Sequence, residues 1–425
     1  MESGGKESQH WEIYDLEGHQ LPSQLSEGLV LLFLATDIPS VGYRVFWLCP
    51  QQTVKPDLPM TRKDWILENE FLRVIVDFKS GEFCSIFDKV NEREIVNQGC
   101  NQLQAFQDSG QYWDAWNIDP NYAKNSLPPT QLKSIDWVES GPVQQRLRVV
   151  RQLGKSEFCQ DYILSVGSPI LKIVTTVDWQ ERHVLVKAAF PLNLEADYAT
   201  YEIPCGAIRR PTQPKEPREQ AKWEVSALRW ADLSTPPTKE KADISASRGV
   251  GYGVSLLNDC KYGYDSQSNQ LRLTLLRSPN WPTPEADRGN HEFTYALYPH
   301  TGTWQSANTV RRGYELNLPL QAMICPPPEA TNITSLPPVG RFLDLSAQNL
   351  VLMAFKQSED DPQQWILRCY ECHGEPAQLS LQSDLGLAPK HPADILERLT
   401  QTSEQLLEEK TFSVLPWKIL TLHIN

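Results

Sequence analysis

The stretch Trp113-Asp-Ala-Trp116 contains side chains that suit carbohydrate chemistry. An indole face stacks on the C–H face of a pyranose ring, and a carboxylate accepts hydrogen bonds from sugar hydroxyl groups. We therefore take Trp113, Asp114 and Trp116 as candidate substrate-binding residues. The alternative is structural: the two indoles would cap the edge of a sheet, and Asp114 would accept hydrogen bonds from backbone N–H groups.

A second candidate loop is Asp287-Arg-Gly-Asn-His291. The Arg288 guanidinium offers a rigid fork of donors, and the His291 imidazole can donate or accept near neutral pH. Together with Asp287 they could hold neighbouring hydroxyl groups. The structural alternative is an ion pair between Asp287 and Arg288 across a turn at Gly289.

The sequence predicts neither a metal site nor a catalytic group. The 8 histidines are dispersed without the spacing of metal ligands. Cys369-Tyr-Glu-Cys372 has a ligand-like spacing but no second pair, so we interpret it as two strand cysteines. We therefore assign no catalytic residue and no metal ligand to this chain.

The elements that must position these loops are mostly strands. Apolar and polar residues alternate in Val143–Gln152, Glu157–Val166 and Ile170–Val177, a pattern typical of antiparallel strands with one buried face. The apolar run Leu29–Ala35 predicts a buried strand, and residues 393–409 have a helix-like pattern. We predict an all-β fold class: a large antiparallel two-sheet sandwich flanked by smaller β-sandwich units.

Two Pro-rich segments divide the 425 residues, residues 49–63 and 325–338. Proline cannot donate to a sheet ladder, so both segments are candidate linkers. The predicted organisation is a remnant of a small β domain with its linker at 1–64, a large central β-sandwich at 65–325 and a C-terminal small β-sandwich at 326–425.

Composition narrows the possible partners and compartment. The net charge of −13 argues against a nucleic-acid partner. The longest apolar run is far shorter than the roughly 20 residues that cross a bilayer, so we expect no membrane partner. The odd number of 9 cysteines without framework spacing and the polar N-terminus predict a cytoplasmic protein.

Several segments resemble one family in the same order along the chain. They are Tyr112–Asp119, Glu224–Asp232, Gly251–Tyr264 and Leu276–His300. Their sequences are similar to the downstream part of glycoside hydrolase family 38 α-mannosidases, in particular the cytosolic-type branch. The resemblance implies that the large sandwich is a galactose-mutarotase-like supersandwich.

The resemblance also implies how function is divided. In that family an N-terminal α/β-barrel supplies an Asp nucleophile and a zinc site of His and Asp, and the complete enzyme hydrolyses terminal α-D-mannosides with retention of configuration. This chain matches only the C-terminal all-β half, so we expect no cofactor in it and no turnover by the isolated chain. The expected partners are an α-mannoside or oligosaccharide and a barrel-containing chain or domain. The alternatives are a non-catalytic carbohydrate-binding module, or a structural subunit that complements a separate barrel chain.

Overall fold

The structure, a computed structural model, describes residues 11–50, 64–109, 113–235, 251–325, 337–400 and 411–425. The regular secondary structure of these residues is almost entirely antiparallel β-strand, which confirms the predicted all-β class. The α-helices of this part are short, α1 (Pro217–Gln220) and α2 (Thr309–Asn317).

The strands before the central sandwich are β1 Trp11–Tyr14, β2 Ser23–Ser26, β3 Val30–Phe33, β4 Gly42–Arg44 and β5 Trp47–Pro50. The central strands are β6 Ile66–Glu68, β7 Leu72–Val76, β8 Phe83–Asp88, β9 Arg93–Glu94, β10 Gln102–Gln107, β11 Gln131–Ser140, β12 Gln144–Leu153, β13 Ser156–Ser165, β14 Leu171–Trp179, β15 Val184–Pro191, β16 Tyr198–Ile203, β17 Gly206–Pro211, β18 Val225–Ser226, β19 Trp230–Thr235, β20 Tyr252–Asn258, β21 Gly263–Gln267, β22 Gln270–Arg277 and β23 Gly289–Thr301. The last strands are β24 Val339–Arg341, β25 Leu350–Gln357, β26 Trp365–Glu371, β27 Ala377–Leu379, β28 Pro389–Ala393, β29 Phe412–Val414 and β30 Ile419–Ile424.

Two large sheets form the central sandwich. The larger has the strand order β11-β12-β13-β14-β23-β20-β19-β16-β17, and the smaller has the order β10-β15-β22-β21-β18. Buried and more exposed side chains alternate along β12, β13 and β14, as their sequence pattern predicts. Every residue of β20 is buried, because the core covers one face and α2 packs against the other.

The main hydrophobic core lies between these sheets. It includes Phe158 and Ile173 from the larger sheet, and Val186 and Leu273 from the smaller. Phe83, from a further sheet formed by β6, β7, β8 and β9, belongs to the same cluster. This core fixes the strand ends from which the candidate loops project.

The C-terminal strands enclose a second core. Strands β25, β26, β30 and β28 form one sheet and β27 pairs with β29, with Leu367, Phe412 and Ile424 buried between them. A third cluster joins this unit to the central sandwich through Trp230, Trp304 and Tyr370. The domain limits at 64/65 and 325/326 stay a prediction, since residues 51–63 and 326–336 lie outside the described residues.

The predicted burial of Leu29–Ala35 is wrong. The strand in this run is β3, and none of its residues is buried. Leu29 precedes it in a 3₁₀ turn and is 80% exposed. Residues 31–35 are half-buried, and the Phe33 ring packs edge-on against Phe46 at a centroid distance of 5.2 Å.

The helix-like segment at 393–409 is not helical where it is described. Ala393 ends β28, and the Asp394 carboxylate then accepts the backbone N–H groups of Leu396 and Arg398 at 2.8 and 3.0 Å. Such a side-chain turn competes with helix formation, and the positive φ of 68° at Glu397 is incompatible with a helix. Residues 401–409 lie outside the described residues.

No helix of the described chain is long and apolar enough to cross a membrane.

Candidate functional site

Three connections between strands meet at one end of the central sandwich. In the smaller sheet Gln107, at the end of β10, lies opposite Val184 at the start of β15, and the next residue of β15 lies opposite Arg277 at the end of β22. In the larger sheet Trp179, at the end of β14, lies opposite Gly289 at the start of β23. These registers bring together the loop after β10, the β14–β15 turn and the β22–β23 loop.

Asp114 fastens the first candidate loop to the β22–β23 loop. Its Oδ2 accepts the backbone N–H groups of Asn280 and Trp281 at 2.7 and 3.1 Å. The backbone N–H of Ala115 donates to the Trp281 carbonyl at 3.2 Å. The Asp114 carboxylate therefore positions a loop 166 residues away in sequence.

Asp108 and Arg277 form a second attachment between the same loops. Asp108 follows β10 directly, is 1% exposed, and accepts hydrogen bonds from Arg277 Nε and from the Asp119 backbone N–H. Arg277 Nη2 also donates to the Asn117 carbonyl. Since Asp108 is buried with its partners, it holds both ends of the 108–119 loop in place.

Three indoles form an exposed aromatic surface on these loops, which we call the tryptophan platform: Trp113, Trp116 and Trp281. The ring centroids of Trp113 and Trp116 lie 6.0 and 5.5 Å from that of Trp281. Trp113 and Trp116 are each 65% exposed and Trp281 is 51% exposed. Large exposed aromatic side chains held on an anchored backbone offer a ready face for a ligand with C–H surface.

Unused polar capacity lies beside the platform. Among the described residues no hydrogen-bond partner reaches Asp114 Oδ1, His183 Nδ1 or Asn280 Oδ1, although all three atoms are buried. The distance from Asp114 Oδ1 is 3.8 Å both to His183 Nδ1 and to Arg277 Nη2, too long for a hydrogen bond. Buried polar atoms usually have a hydrogen-bond partner, and three without one on two neighbouring loops and the β14–β15 turn make this end of the sandwich a candidate site.

The second candidate loop adjoins the first. His291 Nε2 lies 2.6 Å from the Asp287 carbonyl. The surrounding protein raises the pKa of the Asp287 carboxyl by desolvation, although positive charge on His291, Lys261 and Arg277 acts to lower it. Arg277 therefore acts electrostatically on Asp287 and also donates a hydrogen bond to the loop that carries Trp113, Asp114 and Trp116.

The alternative ion pair between Asp287 and Arg288 does not form. Arg288 pairs instead with Glu285, three residues before it, and donates to Gln180 Oε1 at 3.1 Å. Asp287 itself has a positive φ of 62°. Arg288 therefore braces the loop against the β14–β15 turn.

Sequence reasoning missed four contributors: Asp108, His183, Arg277 and Asn280. Trp281 was likewise not predicted as a binding residue. His183 lies in the β14–β15 turn, and its Nε2 is 2.6 Å from Asn280 Nδ2. The signal that could have found these residues is the pairing of β10, β15 and β22, which makes their ends neighbours.

The residues at the platform do not fit a zinc centre. Zinc sites use at least three protein ligands, whereas Asp114 and His183 supply two and the Arg277 cation stands beside them. The only described group of three close potential ligands is Asp15, Glu17 and His19. It lies on a surface turn where Asp15 already accepts the backbone N–H groups of the other two.

The fold and the loop cluster define an all-β sandwich module with an anchored aromatic surface. Residues 67–285 match the model described as "Glycosyl hydrolases family 38 C-terminal domain", and residues 349–422 match the family's "C-terminal beta sandwich domain". The chain belongs to glycosyl hydrolase family 38. The predicted resemblance is thereby confirmed, and the matched models are those of the C-terminal domains.

Named relatives and solved structures agree with this assignment. The chain is 33% identical to Alpha-mannosidase 2C1 of Homo sapiens over 91% of its own length and 36% of the relative's. It is 30% identical to Alpha-mannosidase G of Dictyostelium discoideum over 84% of its own length and 32% of the relative's. The chain thus spans about a third of the relatives it matches.

The crystal structure of an α-mannosidase from Enterococcus faecalis V583 superimposes with a TM-score of 0.75 at 15% identity. The superposition covers 98% of this chain and 51% of the Enterococcus faecalis chain, which shows a shared fold.

Proposed function

We propose that this chain is the substrate-facing β-sandwich region of a family 38 α-mannosidase, and that the tryptophan platform holds part of an α-mannoside or oligosaccharide. The observation that carries this proposal is the exposure of three clustered indoles on loops anchored by Asp114 and Asp108. Anchoring before binding reduces the entropy cost of ordering those side chains around a sugar.

The chemistry of the platform is binding and orientation. The indole faces would pack on the C–H face of a pyranose. Asp114 Oδ1, His183 Nδ1 and Asn280 Oδ1 are buried in this conformation, so they would meet its hydroxyl groups only after the side chains around them move. Asp287 and His291 flank this surface on the adjoining loop. Arg288 contributes by bracing that loop through Glu285 and Gln180.

Bond cleavage is assigned to sequence outside these 425 residues. The family resemblance implies that a barrel domain carries the nucleophile and a zinc ion, which would hold the sugar and polarise it for attack. The named relatives are α-mannosidases about three times as long as the segment that this chain matches, which supports catalysis by a separate part of the enzyme.

The odd cysteine count supports a cytoplasmic location for the protein.

An activity assay tests the division of labour. We expect the purified chain to release no aryl group from an aryl α-mannoside, with or without added zinc. A full-length family 38 enzyme serves as the positive control under the same conditions. Robust hydrolysis by this chain, unaffected by chelators, would contradict the assignment.

A further inference from the structure

The turn between β20 and β21 lies at the same end of the sandwich as the tryptophan platform. Directly after β20, the Asp259 backbone N–H donates to the Thr294 carbonyl at 3.0 Å, and Asp259 Oδ2 accepts the Thr294 backbone N–H at 2.8 Å. This pairing fixes the turn against β23, close to the point where β23 leaves the β22–β23 loop. Lys261, which belongs to the turn, is thereby held beside that loop.

The Lys261 ammonium has three N–H donors and no oxygen acceptor for them. Its Nζ lies 4.3 Å from the centroid of the Phe293 ring, and Phe293 is itself 1% exposed. A cation–π contact of this kind favours the charge but supplies no lone pair to the N–H groups. The described residues make no hydrogen bond or ion pair with this ammonium, and it is not among their buried unpaired atoms, so it is open to solvent.

Asp287, on the neighbouring loop, is the complementary group. It is exposed, and its carboxylate makes no hydrogen bond within the described part of the chain. Lys261 and Asp287 lie close enough for each charge to act on the pKa of the other group. Desolvation lowers the pKa of Lys261, although negative charge on its neighbours acts to raise it. A free donor and a free acceptor therefore lie near each other on two adjacent loops.

This pair adjoins the platform. Asp287 belongs to the same loop as Trp281, and its carboxyl group is within electrostatic reach of Arg277. Arg277 Nη2 in turn donates to the loop that carries Trp113 and Trp116. The free donor, the free acceptor and the three indoles therefore border one surface.

The charges at this position select a class of ligand. The Lys261 ammonium would repel a metal cation, and the carboxylates of Asp259 and Asp287 would repel an anion. A neutral polyol avoids both costs, because one hydroxyl group can accept from an ammonium while another donates to a carboxylate.

We propose that Lys261 and Asp287 form a hydroxyl-binding pair beside the platform, in which Lys261 donates to one hydroxyl group of an α-mannoside and Asp287 accepts from another. The inference rests on the proposed function and adds Lys261 as a residue that determines affinity for the sugar.

NMR spectroscopy of the full chain, with isotope labels at lysine Cε and at the tryptophan indole nitrogen, tests the proposal. The Lys261 and Trp281 signals are assigned from the variants Lys261→Arg and Trp281→Ala. We expect both signals to shift along the same saturation curve as mannobiose is added. A Trp281 signal that titrates while the Lys261 signal does not move would overturn the hydroxyl-binding pair and leave the platform in place. No shift of either signal would overturn the proposed function and this inference together.

An affinity measurement provides the second readout. Lys261→Met should weaken mannobiose binding, followed through the Trp281 signal, by about tenfold or more, because a hydrogen bond from a charged group is lost. The matched control is Lys172→Met on β14, which removes another lysine whose pKa is lowered by desolvation. This control should bind like the unsubstituted chain, and circular dichroism should show that both variants are folded. Equal affinity for Lys261→Met and the unsubstituted chain would contradict the proposal.

Discussion

At the scale of single residues, Asp114 combines the structural role and the sugar-binding role that its sequence context allowed. One carboxylate oxygen accepts two backbone N–H groups, as the structural alternative expected, and the other has no hydrogen-bond partner among the described residues. The residue is therefore first a positioning residue for Trp281. Its proposed contact with sugar depends on the second oxygen alone.

Replacing Asp114 with alanine should loosen the platform. Two backbone N–H groups lose their acceptor, so we expect a loss of about 1–3 kcal/mol in the free energy of unfolding. Urea denaturation measures the loss, and hydrogen exchange should show faster exchange at the Asn280 and Trp281 amides. The exposed Asp360→Ala is the control. Unchanged exchange at both amides would contradict the positioning role.

Lys187 carries a buried positive charge that two carboxylates share as their partner. Its side chain is fully buried on β15, where Nζ lies 2.8 Å from Asp265 Oδ2 and also contacts Glu224. We expect Lys187→Met to destabilise the chain by about 3 kcal/mol, because two carboxylates lose their common partner. Urea denaturation checks this, with the exposed Lys155→Met as control. A loss below about 1 kcal/mol would be inconsistent with this ion-pair network.

At the scale of elements, strand register decides which side chains meet. The ends of β10, β15 and β22 are neighbours because of their pairing, so loops far apart in sequence converge. Alternation in the sequence predicted the strands well, since it reports burial of one face directly. It could not predict the partners of Asp114, because those partners depend on sheet order.

The free energy of unfolding should depend on pH through Glu139, which joins β11 to residues 11–50. Burial raises the pKa of Glu139, but hydrogen bonds from Ser26 and Gln144 and the charge of Arg146 outweigh it, so the pKa is lowered from 4.5. A carboxyl group whose pKa is lower in the folded state stabilises that state above its unfolded pKa. That contribution is lost as the pH falls through the folded pKa.

We therefore expect the free energy of unfolding to fall below pH 4.5 more steeply in the unsubstituted chain than in Glu139→Gln. Urea denaturation between about pH 3 and 6 provides the measurement, in the range where glutamate titrates. Glu157→Gln, at an exposed position of β13, is the control. Parallel pH profiles for the unsubstituted chain and Glu139→Gln would argue against this linkage.

At the scale of the whole molecule, the sequence predicted the family and the all-β class, and both predictions are confirmed. The segments that resemble the family occur in the same order over most of the chain. The alternation of apolar and polar residues likewise marks strands along most of its length. The predicted burial of Leu29–Ala35 is wrong because an apolar run reports hydrophobicity, whereas burial depends on which other elements pack against the strand.

The limits of the site prediction have a similar origin. Trp113, Trp116 and Asp114 were found by residue type, whereas Trp281 joins them only through tertiary contact. Arg288 was expected at hydroxyl groups, yet its partners are Glu285 and Gln180. Asp287, His291 and the platform residues remain predicted sugar contacts.

Titration calorimetry of the chain with mannobiose tests the central claim most directly. We expect saturable heat with a dissociation constant on the order of millimolar, equivalent to about −4 kcal/mol. Trp281→Ala should abolish it, while Trp365→Ala, which removes an indole 37% exposed on β26, should leave it unchanged. Undetectable heat for the unsubstituted chain, or equal heat for Trp281→Ala, would contradict a sugar-binding tryptophan platform.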